Sequence, residues 1–127
     1  MQKLLILLFS ILISFNSYGE WTQVTESDDG NSTFYVDEDT IKENGGYVYW
    51  WSLGNSKKLV SGTLSAKFYN EGDCGINRYR KLSYVFYKQP MGRGEDVTDN
   101  PQNPKWVYPT PGSIEGGVLD FVCDYVK

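Results

Sequence analysis

Tyr47-Val48-Tyr49-Trp50-Trp51-Ser52-Leu53 decides the fold. Every position but Ser52 is large and apolar or aromatic, the residue types that fit a pleated surface. Side chains alternate across a strand, so Tyr47, Tyr49, Trp51 and Leu53 share one face while Val48 and Trp50 share the other. Both faces are bulky. The stretch therefore predicts a central strand covered on both sides.

Toward the N-terminus, Trp21–Thr25 reads as a first strand and Thr33–Val36 as a second. The turn cluster Ser27-Asp28-Asp29-Gly30-Asn31 joins them into a hairpin. Asp37–Glu43 reads as one helical turn capped by Asp37. Asn44-Gly45-Gly46 then breaks the chain. Toward the C-terminus, Gly54–Lys58 reads as a loop and Leu59–Glu71 as a strand with Leu64, Ala66 and Phe68 on one face. Asn77–Lys88 is a long strand candidate, with Leu82, Tyr84 and Phe86 facing one way and Tyr79, Val85 and Tyr87 the other. Gln89–Pro104 is rich in proline and glycine and longer than an ordinary connection. It reads first as a mobile link and second as a functional loop. Lys105–Tyr108 reads as a short edge strand.

The period changes near the end. Ser113 offers an N-cap and Glu115 suits the positive end of a helix dipole. Val118, Leu119, Val122, Cys123 and Val126 then recur at helical spacing. A strand over Val118–Val126 is the competing reading, because Gly116 and Gly117 weaken the first turn. No helix-length segment separates the central strands, which argues against a parallel sheet. The expected class is α+β: a twisted antiparallel sheet of five to six strands with a C-terminal helix packed on one face.

The ends bound the location. Met1-Gln2-Lys3 is a short basic start, and Leu4–Ile13 is apolar except for Ser10. That length suits a secretory leader and falls short of the roughly 18–20 residues of a membrane span. Ser17-Tyr18-Gly19 places small residues before a cleavage site at Glu20. The expected organisation is a signal peptide over residues 1–19 and one domain over 20–127. The protein is then exported, periplasmic or secreted, with no membrane span in the mature chain. No cysteine stands at the cleavage point to take a lipid anchor.

The two cysteines, Cys74 and Cys123, both fall in the mature part. Export favours one disulfide between them, against buried thiols or an intermolecular bridge. On the helical reading, the bond ties the helix to the sheet.

The formal charge is −4, and removal of Lys3 with the leader makes it one unit more negative. Such a chain has no global field for nucleic acid or an anionic membrane. There is no histidine, which excludes Ser-His and Cys-His nucleophile arrangements and Cys/His zinc sites. The chain is therefore read as non-enzymatic and without cofactor, with a carboxylate hydrolase surviving only if a cleft pairs two acids. Asp28, Asp29, Asp37, Glu38 and Asp39 cluster in sequence and have calcium-type oxygens. Their spacing matches no EF-hand loop, so they read as solvated turns and a cap.

Aromatics are abundant, with 4 Trp, 10 Tyr and 6 Phe, and most must build the core. Arg78, Tyr79, Arg80 and Tyr87, with Arg93 in the following loop, form the candidate partner-binding surface, because tyrosine and arginine are enriched at interfaces. An exposed Trp21–Thr25 edge would also suit a homodimer.

In this order, the residues resemble the surface-adhesin protein E family of Gram-negative bacteria, over Trp21 to Cys123. The likeness rests on Trp21, then Phe34-Tyr35-Val36-Asp37 with Thr40-Ile41-Lys42, then Asn44-Gly45-Gly46 leading into Tyr47–Leu53. Asp73-Cys74, Arg78-Tyr79-Arg80, Met91-Gly92-x-Gly94, Pro111-Gly112-Ser113 and Cys123 complete it. No one element is specific; their succession is. The resemblance implies a small antiparallel sheet with a C-terminal helix linked by the cysteine pair, which selects helix over strand after Ser113. It also implies binding of host extracellular-matrix and serum proteins by an outer-membrane lipoprotein. This chain departs from that pattern in lacking the lipobox cysteine. The alternative function is a periplasmic structural or envelope-associated module with no host ligand.

Overall fold

The computed structural model describes residues 21–94 and 96–127; the leader expected over residues 1–19 lies outside them. Among the described residues, seven antiparallel strands form one sheet. They are β1 (Trp21–Glu26), β2 (Ser32–Asp37), β3 (Lys42–Asn44), β4 (Tyr47–Val60), β5 (Thr63–Asp73), β6 (Arg78–Tyr87) and β7 (Asp96–Asp99). The continuous order is β1-β2-β4-β5-β6-β7, with β3 pairing Tyr47–Tyr49 at the start of β4. Among the described residues a single α-helix, α1 (Ile114–Tyr125), follows. The α+β expectation holds, with more strands than the sequence reading counted.

The decisive stretch is central, as its composition requires. β4 pairs β2 on one side and β5 on the other. Val48 and Trp50 point to the face that α1 covers. Val36, Val48, Trp50, Tyr79, Leu119 and Val122 are the buried cluster there. Full burial of aliphatic side chains of this kind stabilises by roughly 1.5–3 kcal/mol each. Gly72 of β5 is part of the fit: a Cβ there would lie 2.8 Å from Trp50 Cζ3 and 3.0 Å from Leu119 Cδ1. The opposite face differs from expectation. Among the described residues no α-helix covers it, and Tyr47, Tyr49 and Trp51 are only half-buried. It is called the open face below.

The helix begins where its cap predicts. The Ser113 hydroxyl accepts a hydrogen bond from the Gly116 N–H at 3.1 Å. Leu119 and Val122 are fully buried, and Val118, Phe121, Cys123 and Val126 pack beside them. Cys74 and Cys123 form a disulfide with Cα atoms 5.8 Å apart, so the helix is tied to the end of β5.

Four local expectations are corrected. Gly54–Lys58 is strand rather than loop. Gly54 lies opposite Phe34 of β2, and a Cβ there would come within 3.2 Å of that ring, so the glycine serves packing. The reversal falls instead at Ser61-Gly62, whose φ values of 51° and 79° suit a two-residue hairpin turn. Asp37 does cap a helical turn, but this is a short 3-10 turn over Glu38–Thr40, after which β3 forms. Gln89–Pro104 carries its own structure: a 3-10 turn at Pro90–Gly92 and the edge strand β7. That turn is pinned to the open face. Met91 N–H donates to Asn55 Oδ1 at 2.8 Å and Gly92 N–H to Ser65 Oγ at 2.9 Å. Lys105–Tyr108 pairs only through one bridge, Val107 with Tyr79.

β6 contains a bulge that reverses parity. Ser83 pairs Tyr69 and Lys81 pairs Asn70, which leaves Leu82 as the extra residue. Beyond the bulge, Tyr79 and Lys81 share the helix face with Tyr84 and Phe86, while Arg78 and Arg80 share the open face with Val85 and Tyr87.

Candidate functional site

On the open face, β6 presents Arg78 and Arg80 side by side. Trp106, from the segment before α1, lies against both: its ring centroid is 4.1 Å from the Arg78 guanidinium carbon and 4.4 Å from that of Arg80. Guanidinium over an indole face is favourable because the ring quadrupole attracts the cation. Tyr47 packs on the same indole at 5.7 Å between centroids. Exposed Tyr108 accepts a hydrogen bond from Arg78 Nη1 at 3.4 Å.

Each arginine also has an acidic partner on β5. Arg78 Nε donates to Asp73 Oδ2 at 3.2 Å, and Arg80 Nε to Glu71 Oε1 at 2.6 Å. Glu71 is 6% exposed, and its other oxygen accepts from the Tyr49 hydroxyl at 2.5 Å. That hydrogen bond to a carboxylate, with burial and the Glu71 charge adding to it, pushes the Tyr49 phenol up to about 12. The hydrogen bond to Tyr108, and then that to Asp73, hold the Arg78 guanidinium above its usual range. Both cations are thus fixed in direction.

The row continues along the sheet. Tyr49 stacks with Tyr69 at 6.2 Å, and Trp51 tilts against Tyr69 at 5.1 Å. Lys67 Nζ then lies 5.7 Å from the Trp21 ring and 5.3 Å from the Tyr87 ring. Trp21, Asp37, Trp51, Lys67, Val85 and Tyr87 line a shallow depression of about 270 Å³. One face therefore carries an aromatic surface pinned by cations along its length.

Of the candidate surface residues, Arg78 and Arg80 come together and Tyr87 lies at the far end of the same row. Tyr79 is corrected from surface to core: it is 6% exposed and packs under α1, because the bulge at Leu82 turns it to the other face. Burial, with the Glu115 charge second, pushes its phenol up to about 12. Arg93 is exposed and follows the turn bonded to Ser65, at the opposite end of β5 from Asp73. Eight residues of strand separate those ends, roughly 26 Å. Sequence reasoning missed Trp106, which lies 26 residues or more from its arginines. A lone tryptophan between Pro104 and Pro109 was the available signal.

The acidic cluster serves turns. Asp29 accepts from Ser27 Oγ at 2.6 Å and from the Asn31 N–H at 2.9 Å. These bonds, Ser27's first, hold its carboxyl below the usual range. Asp37 caps the 3-10 turn. Among the described residues, no three His, Cys, Asp or Glu side chains gather as a metal site, and no helix is long and apolar enough to cross a membrane.

A sequence model of the family described as surface-adhesin protein E matches residues 21–124. The chain belongs to the surface-adhesin protein E family. The fold agrees with solved structures of protein E from Haemophilus influenzae. Its crystal form II superposes with a TM-score of 0.67 at 17% identity, over 83% of this chain and 90% of that one. A second structure of the same protein gives 0.65 at 15% identity, over 84% and 85%. Protein E from the non-typeable organism gives 0.64 at 16% identity, over 86% and 78%. No curated protein sequence matches. The protein E fold thus frames both faces of the sheet, with the helix on one and the cation–aromatic row on the other.

Proposed function

We propose that this protein is an exported, non-enzymatic binding domain that engages a protein partner through the open face. Extracellular-matrix proteins, or an envelope protein, are the partner class. Family membership supports an adhesin-like role, and the stack of Arg78 and Arg80 on Trp106 is the observation that carries the surface assignment. Tryptophan, tyrosine and arginine dominate the energetics of protein interfaces. Here they are held in place before any partner arrives, which lowers the ordering cost of association. Arg93 joins the surface only if the partner spans the length of the sheet. In this reading residues 1–19 are removed before Glu20.

The test is binding of the purified domain to an immobilised panel that includes laminin and vitronectin. Saturable binding to one of them is expected. Trp106→Ala should weaken it about 30-fold, the effect of a hot-spot residue of about 2 kcal/mol, with the disulfide and thermal melt retained. Absence of saturable binding across the panel overturns the matrix-protein reading. Fractionation separates the alternatives further: protein confined to the periplasm would point to an envelope partner.

A further inference from the structure

The helix covers only part of its face. Beyond it, Phe34, Gly54, Ala66, Phe68 and Phe86 floor an open groove of about 560 Å³, rimmed by exposed Val60. The size is that of small-molecule sites, roughly 300–1,000 Å³. Phe34 and Phe68 also line a smaller cleft of about 90 Å³ where the groove meets the start of α1. Trp50, Tyr79, Lys81 and Glu115 line that cleft too. The groove is thus mostly apolar, and the cleft that shares Phe34 and Phe68 with it adds the charged Lys81 and Glu115.

Two side chains stand out in that cleft. Trp50 is 1% exposed, and its Nε1–H meets no acceptor among the described residues. A buried donor without an acceptor is costly, so it calls for explanation. Lys81 is half-buried with Nζ 4.4 Å from the Phe68 ring centroid and 5.9 Å from that of Tyr84. Among the described residues, no carboxylate lies within ion-pairing distance of it. Desolvation lowers its pKa, and the Glu115 charge acts the other way. A cation in a cleft beside an apolar groove has the chemistry of a carboxylate headgroup site.

We infer that this groove binds one free long-chain fatty acid, with its carboxylate beside Lys81 and its chain along Phe34, Ala66, Phe68 and Phe86. Glu115 lines the same cleft and opposes the anion, so its charge tunes the affinity. The site is on the face away from Trp106, and binding there neither requires nor excludes a partner on the open face.

The experiment is calorimetric and fluorescence titration of the purified, disulfide-intact protein with palmitate. One palmitate per chain is expected, with a change in tryptophan emission. Lys81→Met should weaken palmitate about tenfold, the loss expected for one charge-assisted contact, and leave hexadecanol unchanged. Glu115→Gln should strengthen palmitate. Ala66→Phe should block both ligands by filling the groove. Val60→Glu, at the exposed rim where folding is not at stake, should weaken both. Absence of saturable palmitate binding overturns the inference. So does palmitate binding that is unchanged in both Lys81→Met and Val60→Glu, or capture of phosphatidylglycerol vesicles without binding of free palmitate.

Discussion

Tyr79 and Tyr49 lie on opposite faces of one sheet, and both phenols are held at about 12. The reasons differ. Tyr79 is surrounded by Trp50, Leu119 and Val122, and burial disfavours its charged form. Tyr49 is tied to the Glu71 carboxylate, which also holds Arg80. The helix face is held by close apolar fit and one covalent tie. The open face is held by charge pairs and ring stacking at half-exposed positions. Such a face keeps its side chains oriented yet leaves area for contact, and the stretch packed under α1 does not.

The comparison breaks most visibly at the disulfide. Replacing both Cys74 and Cys123 with serine should cost about 4 kcal/mol, the upper-end chain-entropy figure for a loop of this size. Denaturant unfolding measures it. The loss should loosen α1 and leave the stack on Trp106 intact by NMR; equal disturbance of both faces would show them to be one cooperative unit. Next in size is Gly72→Ala. The added methyl meets Trp50 and Leu119, and overpacking of this kind costs roughly 1–3 kcal/mol. A neutral result would mean that the helix stands off the sheet more freely than the packing implies.

The smallest effect is the most discriminating. A tyrosine whose folded pKa is raised above its ordinary value of about 10 stabilises the fold fully below that pH. The contribution is lost as pH rises through about 12. Both tyrosines should therefore make the fold sensitive to alkali in that window. Glu71→Gln should bring Tyr49 down toward 10 and leave Tyr79 where it is, read by NMR titration of the two ring carbons. Movement of both, or of neither, would contradict the separate causes.

Much of this architecture is legible in the residues. Tyr47–Leu53 declares a central strand through its composition, and Ser113 with the spacing of Leu119 and Val122 declares the helix. The cysteine pair follows from compartment. The rest depends on contacts that no local pattern encodes. Gly54 looks like a turn residue because nothing in its neighbours shows the Phe34 ring opposite. Alternation counted from Tyr87 back to Tyr79 misplaces Tyr79, because one bulged residue changes the phase of everything beyond it. Trp106 meets Arg78 and Arg80 only after the sheet has brought distant segments together. The candidate site was legible as two arginines and a tyrosine, and illegible as the indole that orients them.

Leu82 gives β6 an uncommon tolerance. Loss of one residue inside a strand ordinarily exchanges its two faces on one side of the deletion. At Leu82 the loss would instead join Lys81 to Ser83 with their partners Asn70 and Tyr69 already adjacent. In lineages that gain and lose single codons, this is the point in β6 where the length can change while Tyr79 stays under the helix and Arg78 and Arg80 stay on the open face.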